Sequence, residues 1–309
     1  MKTLNLKSNK KIHVNIPTKE EISLWFQGLQ QDIIKRLEEA DGKGKFVFDE
    51  WHRAEGGGGK SCIIQQGNII EKGGVNYSAV YGETPEFLIK SNPALSGTKF
   101  YATGVSIVLH PENPMVPIIH MNVRYFEAGT DVFWFGGGID LTPHYVQKDD
   151  AHYFHQTLKM ACDQHDESYY PKFKKWADDY FYIPHRNETR GIGGIFFDHL
   201  TGDKYQLFEF IKTIGNTFAP LYVHLMKKNV ALTFNEVNKK WQYLRRGRYA
   251  EFNLIYDKGT KFGLETNGRT ESILMSLPPR ADWNYNHIAA HGSEEDITLS
   301  LLKKGINWA

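Results

Sequence analysis

Between Lys174 and Asp198 the chain reads KKWADDYFYIPHRNETRGIGGIFFD. Two bases, His185 and Arg186, are followed by Arg190. A turn punctuated by Gly191, Gly193 and Gly194 then leads through the apolar Ile195-Phe196-Phe197 to a lone acid, Asp198. Cations, permissive backbone and one carboxylate in so short a span are poorly suited to core packing. They suit the wall of a polar pocket.

A second set of polar residues lies on two predicted strands. Alternate side chains of a strand face the same side. In Val105–His110 that places Ser106, Val108 and His110 opposite Ile107 and Leu109. In Ile118–Tyr125, His120, Asn122 and Arg124 share a face, opposite Ile119, Met121, Val123 and Tyr125. The turn-rich link Pro111-Glu112-Asn113-Pro114 makes a hairpin of the two. If their polar faces coincide, Ser106, His110, His120, Asn122 and Arg124 line one patch of sheet. A solvated outer face is the usual reason for such alternation, yet solvated faces are normally Lys, Glu and Thr. A contiguous cluster of Ser, His, Asn and Arg is what sites are made of, and both readings stand.

Other histidines are scattered along the chain: His144, His152, His155, His165, His185, His199 and His224. His152 and His155 share a predicted helix face, and three histidines suffice to hold a metal. With no H-E-x-x-H and no tight two-histidine, one-carboxylate spacing, a network of pocket donors is preferred. Arg245, Arg246 and Arg248 in YLRRGRYAEF read as cations at a helix C-terminus, where the dipole favours them. Arg269, in the turn Asn267-Gly268-Arg269-Thr270-Glu271, is placed to fork a carboxylate or phosphate. Together with Arg124 and Arg186 it predicts an anionic substrate with more than one carboxylate.

These side chains need elements to position them. Thr18-Lys19-Glu20-Glu21 is a capping box opening an amphipathic helix over about 18–41. From Phe46 to about Tyr145 short β-branched and aromatic runs alternate with Gly, Pro and Asn, as in an antiparallel sheet. Helical patterns return over Asp149 to Tyr182, Lys204–Lys228, Asn235–Arg246 and Glu294–Lys304, with strands expected at Tyr249–Tyr256 and Ser272–Ser276. Grouped helices and strands predict an α+β fold, and no linker or repeat divides residues 1–309, so one domain is expected. Ala54-Glu55-Gly56-Gly57-Gly58-Gly59-Lys60-Ser61 loosely matches a phosphate loop. Its sequel Cys62-Ile63-Ile64-Gln65 reads as a strand, where a phosphate loop needs a helix.

Composition narrows the function classes. A net charge of +1 supplies no global field for nucleic acid or membrane. Two cysteines, Cys62 and Cys162, make neither a disulfide scaffold nor an iron–sulfur site. The N-terminal residues show no signal or transit pattern and no later stretch could span a bilayer, so a cytoplasmic location is expected.

Several stretches, in order, resemble one family: EGGGG, GVSIVLHPENP with HMNVRYFE, FGGGIDLTP, the Lys174–Asp198 run, and EFNLIYDKGTKFGLETNGRTESILMSLPP. The family is that of the oxygen-dependent coproporphyrinogen III oxidases, and the length without a leader resembles its bacterial members. The resemblance implies an antiparallel sheet flanked by helices on both faces, and a homodimer with contacts around residues 249–284. It implies oxidative decarboxylation of the ring A and ring B propionates of coproporphyrinogen III to vinyl groups, giving protoporphyrinogen IX. O2 would be consumed, with CO2 and H2O2 released. Carried onto this sequence, the substrate contacts fall on Ser106, on Asn122, Val123 and Arg124, and on Asn267, Gly268 and Arg269. The proton donor falls on His120, proposed metal ligands on His110, His155 and His185, and the acid and base against the substrate on Asp198 and Arg186. Two positions depart from the family pattern: Ala177 replaces a usual Cys, and His199 a common second Asp.

The implied chemistry needs no flavin, nicotinamide or iron–sulfur cluster, because an electron-rich porphyrinogen itself supplies electrons to O2. In this reading Asp198 takes or orients pyrrole N–H protons. Arg124, Arg186 and Arg269 hold propionates, and His120 moves a proton. Two alternatives remain open. One is a histidine–metal oxygenase using His110, His155 and His185 with a divalent metal. The other is a non-catalytic tetrapyrrole carrier.

Overall fold

The computed structural model describes residues 16–265 and 268–309. It opens with α1 (Lys19–Asp41). Thr18 Oγ1 accepts from the Glu21 amide at 3.2 Å, and the Glu21 carboxylate accepts from the Thr18 amide at 2.8 Å. This reciprocal cap satisfies two of the helix's orphan donors, and Gly42, with φ of 76°, ends it. Ile22, Phe26, Leu29, Ile33 and Leu37 form its buried stripe, so the helix expected from the capping box is present.

The sheet follows: β1 (Val47–His52), β2 (Gly57–Gln65) and β3 (Ile70–Glu83), then a short helix α2 (Glu86–Ser91), then β4 (Lys99–Pro111), β5 (Ile118–Ala128) and β6 (Val132–Thr142). Next come α3 (Lys148–Asp163), α4 (Tyr169–Tyr180) and a small ribbon of β7 (Tyr182–Ile183) and β8 (Glu188–Thr189). The chain returns through β9 (Gly194–Leu200), α5 (Lys204–Asn229), α6 (Glu236–Ile255), α7 (Lys258–Glu265), α8 (Thr270–Leu274) and α9 (Glu294–Leu301). The main sheet is antiparallel, in the order β1-β2-β3-β4-β5-β6-β9. Of the glycines in the loose phosphate-loop match, Gly56 lies in the turn before β2, while Gly57, Gly58 and Gly59 lie inside it, Gly58 and Gly59 paired on both sides, with strand rather than helix after them.

Register gives the two faces opposite characters. One row across all seven strands reads Phe48, Cys62, Val75, Ile107, Met121, Ile139, Ile195. This apolar face packs on α1, α3, α4 and α5, and each buried Ile, Val or Met contributes roughly 1.5–3 kcal/mol. The neighbouring row faces the other way and reads Asp49, Ser61, Asn76, Ser106, Asn122, Gly138, Phe196. Helix α6 crosses the latter face at one end, where the Tyr249 ring meets His110 and the Asn253 amide oxygen accepts from Arg190. Beside it, α8 covers β2 and β3 through Ser272, which bonds Ser61 and Asn76. The α+β architecture with helices on both faces is thus as expected.

Two expected strands are helical instead. Residues 249–255 complete α6, with Tyr256 as its C-cap, and residues 272–276 lie in and just after α8. In α6 burial runs without a break from Leu244 to Asn253 and takes in Arg245, Arg246, Arg248, Glu251 and Asn253. Polar and charged side chains fill much of this buried stretch, so hydrophobic periodicity misses the helix. Arg245, Arg246 and Arg248 are consequently interior helix residues paired with Glu188, Glu71 and Glu251. They are not the cations at a helix C-terminus that were expected.

Candidate active site

The hairpin of β4 and β5 forms as the alternation predicts, with Ser106 opposite Asn122 and Val108 opposite His120. Ser106, His110, His120, Asn122 and Arg124 therefore share one face. Strand β6 extends it with Gly136, Gly138 and Asp140, paired with Arg124, Asn122 and His120 in turn. Strand β9 adds Phe196 and Asp198. Ser106, His120, Asn122, Arg124, Phe196 and Asp198 are all part-exposed, so this stretch of the face is an accessible floor.

Two charged groups stand on that floor. Arg124 Nη2 reaches Asp198 Oδ1 at 2.9 Å, while its Nη1 donates to Asn122 Oδ1 at 2.7 Å. Gly136 makes the first contact possible, since a Cβ there would sit 2.6 Å from Asp198 Oδ1 and 3.0 Å from Arg124 Nε. The second group is a chain. His120 Nδ1 lies 2.7 Å from Asp140 Oδ1, Arg190 Nη2 donates to Asp140 Oδ2 at 2.6 Å, and Arg190 Nη1 donates to Asn253 Oδ1 at 2.7 Å. The guanidinium of Arg190 lies against the rings of Phe181, Tyr249 and Phe252.

Burial pushes the Asp140 carboxyl up, but the Arg190 charge and His120 outweigh this and hold it below the usual carboxylate range. An ionised Asp140 can only accept, so Nδ1 of His120 carries the hydrogen. Its Nε2 is left to give or take a proton on the open floor. Asp140 is not among the expected site residues, and Arg190 is expected only as part of the pocket-wall run, with no role of its own. The signal for Asp140 was present, since Gly136, Gly138 and Asp140 alternate on one face of β6.

The Arg186 contact differs from expectation. Its Nε and Nη2 fork Glu251 of α6 at 2.9 and 2.5 Å. The same carboxylate accepts from His185 Nε2 at 2.9 Å and from Trp283 Nε1 at 2.9 Å. Arg186 therefore ties the loop before β8 to α6, and its fork is occupied within the chain. Arg269 pairs with Asp49 on the edge strand β1, at the far end of the row that contains Ser106 and Asn122. Beside it the Gly268 amide donates to Gly263 O at 2.8 Å, while Asn267 lies outside the described residues. Val123 is fully buried in the apolar core, its side chain turned away from Asn122 and Arg124.

The three histidines expected as metal ligands are held apart, each by its own partners. His110 is fully buried under α6, with Nε2 donating to Ser276 O at 2.9 Å. His155 on α3 donates from Nε2 to Ile192 O, and its Nδ1 accepts from Tyr170. His185, donating to Glu251, accepts at Nδ1 from Tyr256. A metal needs a free ring lone pair, and neither His155 nor His185 keeps one. Among the described residues no three His, Cys, Asp or Glu side chains gather to hold an ion, so these residues do not fit a shared metal site.

Comparison with known proteins gives this geometry its context. The model of the family described as coproporphyrinogen III oxidase matches residues 21–308. A protein of Prochlorococcus marinus (strain MIT 9313) named oxygen-dependent coproporphyrinogen-III oxidase is 46% identical over 308 residues, covering 91% of this chain and 88% of its own. A Drosophila melanogaster protein of the same name is 47% identical over 304 residues, covering 94% of this chain and 78% of its own. Relatives so similar over nearly the whole length, and a family match spanning the sheet, the paired charges and the closing helices, show that the chain belongs to the coproporphyrinogen III oxidase family.

Proposed function

We propose that this chain is the oxidoreductase that converts coproporphyrinogen III to protoporphyrinogen IX in heme biosynthesis, with O2 as co-substrate. The ring A and ring B propionates become vinyl groups. The observation that carries the reading is the pair of charged groups on one accessible sheet face, Arg124 with Asp198 and His120 with Asp140, in a chain whose relatives carry that activity in their names.

The substrate lies across the floor of Ser106 and Asn122, where β6 has only backbone at Gly136 and Gly138. Arg124 receives a propionate by charge-assisted hydrogen bonds, and Arg269 a second from the Asp49 side. Asp198 faces pyrrole N–H groups and takes up a proton as the ring donates electrons to O2. His120, its tautomer held by Asp140, donates a proton to the reduced oxygen. The occupied fork of Arg186 supports a role in holding the pocket wall more than in clamping a propionate. The macrocycle supplies the electrons, so no organic cofactor enters and no step is routed through a metal.

We also infer a homodimer, built in part from residues 249–284. Leu254, Ile255, Leu264 and Trp283 are exposed there, and clustered exposed apolar groups mark interaction surfaces. Two free, buried cysteines suit a reducing, cytoplasmic setting.

The test is oxygen uptake with coproporphyrinogen III, with protoporphyrin fluorescence followed after oxidation. Wild type consumes O2 and forms product, and Asp198→Ala loses turnover by two or more orders of magnitude (~10²-fold) while keeping its melting temperature. A tetrapyrrole carrier would bind substrate and consume no O2. Activity lost on exhaustive chelation and regained with one metal would instead establish the histidine–metal oxygenase.

A further inference from the structure

The backbone turns sharply just after Asp198. His199 has φ of 50°, in the left-handed region that few residues enter and that Asn, Asp and His tolerate better than most. The turn folds the His199 amide back, so that it donates to Asp198 Oδ1 at 2.9 Å. The ring follows, with Nδ1 3.3 Å from Asp198 Oδ2. It is held there against the Trp134 ring of β6, the centroids 4.5 Å apart.

This arrangement divides the two oxygens of Asp198. Oδ1 is occupied by the His199 amide and by Arg124, leaving Oδ2 for proton exchange. The ionisable group beside Oδ2 is an imidazole whose side chain is 67% exposed, against 22% for Asp198 itself. The acid faces the pocket and the imidazole faces water.

We propose that His199 is the proton relay between Asp198 and solvent. The inference rests on the reading of Asp198 as the group that meets the substrate's pyrrole nitrogens. The reaction balance leaves Asp198 with a proton to release and recover. A propionate carboxylate, O2 and one proton become a vinyl group, CO2 and H2O2. The bond to the carboxylate carbon breaks, a C–H bond on the ring-side methylene breaks, a carbon–carbon double bond forms, and O2 gains two electrons. H2O2 takes the hydrogen of that C–H bond and one proton from His120, which is recharged from solvent. The pyrrole proton taken by Asp198 passes from Oδ2 to His199 Nδ1 and on to water, and it returns by the same path to the pyrrole nitrogen when CO2 leaves, so this side uses no net proton. Of the residue types suited to this backbone, only histidine exchanges protons readily near neutral pH.

Two variants test the relay. His199→Asn keeps the left-handed preference without a titrating ring, and His199→Gly removes the strain and leaves room for a free imidazole. Both should fold, checked by thermal melting, and show kcat lower by about tenfold or more with KM within about twofold. Added imidazole should restore turnover of His199→Gly in proportion to its concentration. Wild-type kcat in either folded variant overturns the relay. So does a loss that imidazole does not repair, which makes His199 a prop for the Asp198 carboxylate. Asp198→Ala, assayed alongside, keeps the two claims distinct. If it is fully active, the reading of Asp198 fails. If it is inactive while both His199 variants are fully active, only the relay fails.

Discussion

His120 and Asp140 stand on adjacent strands and have different jobs. The His120 side chain is 23% exposed and borders the open floor, whereas Asp140 and Arg190 are both almost wholly buried, at 3% and 2% side-chain exposure. Removing one partner of a buried pair leaves an uncompensated charge, which costs about 3–5 kcal/mol. We therefore expect His120→Gln to fold normally and lose about 10²-fold or more in kcat. Asp140→Asn should lose activity and also lower the urea midpoint by an amount corresponding to about 3 kcal/mol. Equal stability of the two variants would show that Arg190 finds another partner. That His120 belongs to a polar face could be read from alternation alone. That its partner is Asp140, 20 positions away, could not, because strand order and register choose it.

The elements that bear these groups differ in how openly their sequences declare them. Helix α1 has a capping box and an apolar stripe, and β4 and β5 alternate cleanly, so all three are legible from neighbouring residues. Helix α6 is not, since its buried face is Gln, Arg, Tyr and Asn rather than aliphatic. It remains a helix because its arginines find glutamates on β3, β8 and α6 itself. Its Gly247 admits the Asp282 carbonyl where a Cβ would lie 2.6 Å from that oxygen. Two glycine substitutions separate propensity from fit. Gly28 in α1 is exposed, and a Cβ added there would meet nothing within 4 Å, so Gly28→Ala should raise stability by about 0.5–1 kcal/mol. Gly136→Ala pushes Asp198 off Arg124, and kcat/KM should fall by at least about tenfold, one lost charge-assisted hydrogen bond being worth about 1.5 kcal/mol or more. Unchanged kcat/KM in Gly136→Ala would mean that the Arg124–Asp198 contact is dispensable.

Acid should unfold the molecule in two steps of linkage that act in the same direction. His110, His144 and His155 are buried, and burial lowers all three, His155 to about 3. Below the ordinary value of 6.5 the unfolded chain takes up protons there that the fold refuses, so stability falls as pH drops. Burial pushes Glu251 up, but hydrogen bonds from Arg186 and His185 outweigh it and bring it from 4.5 to about 2. A depressed carboxylate stabilises the fold above its unfolded value, and that share, roughly 3 kcal/mol, is lost as pH falls from there through the folded value. The urea midpoint should decline from about pH 6.5 downward and more steeply below about pH 4.5. Glu251→Gln should reduce only the lower, steeper part, to which the depressed carboxyls of Asp140 and Asp41 also contribute. A wild-type midpoint independent of pH across this range would refute the assignment.

Local pattern was enough for the secondary structure of α1, α5, β4 and β5, for the polar face of the hairpin, and, through its motifs, for the family. These are properties of residues within a few positions of one another, which periodicity and capping register directly. The partner of each cation was decided only when the elements packed. Arg124 meets Asp198, Arg190 meets Asp140, Arg186 meets Glu251 and Arg269 meets Asp49, the last pair 220 positions apart. An arginine reads the same in sequence whether it will hold a substrate carboxylate or one of the chain's own. Which carboxylate it meets depends on strand order, register and helix placement, and these belong to the fold as a whole.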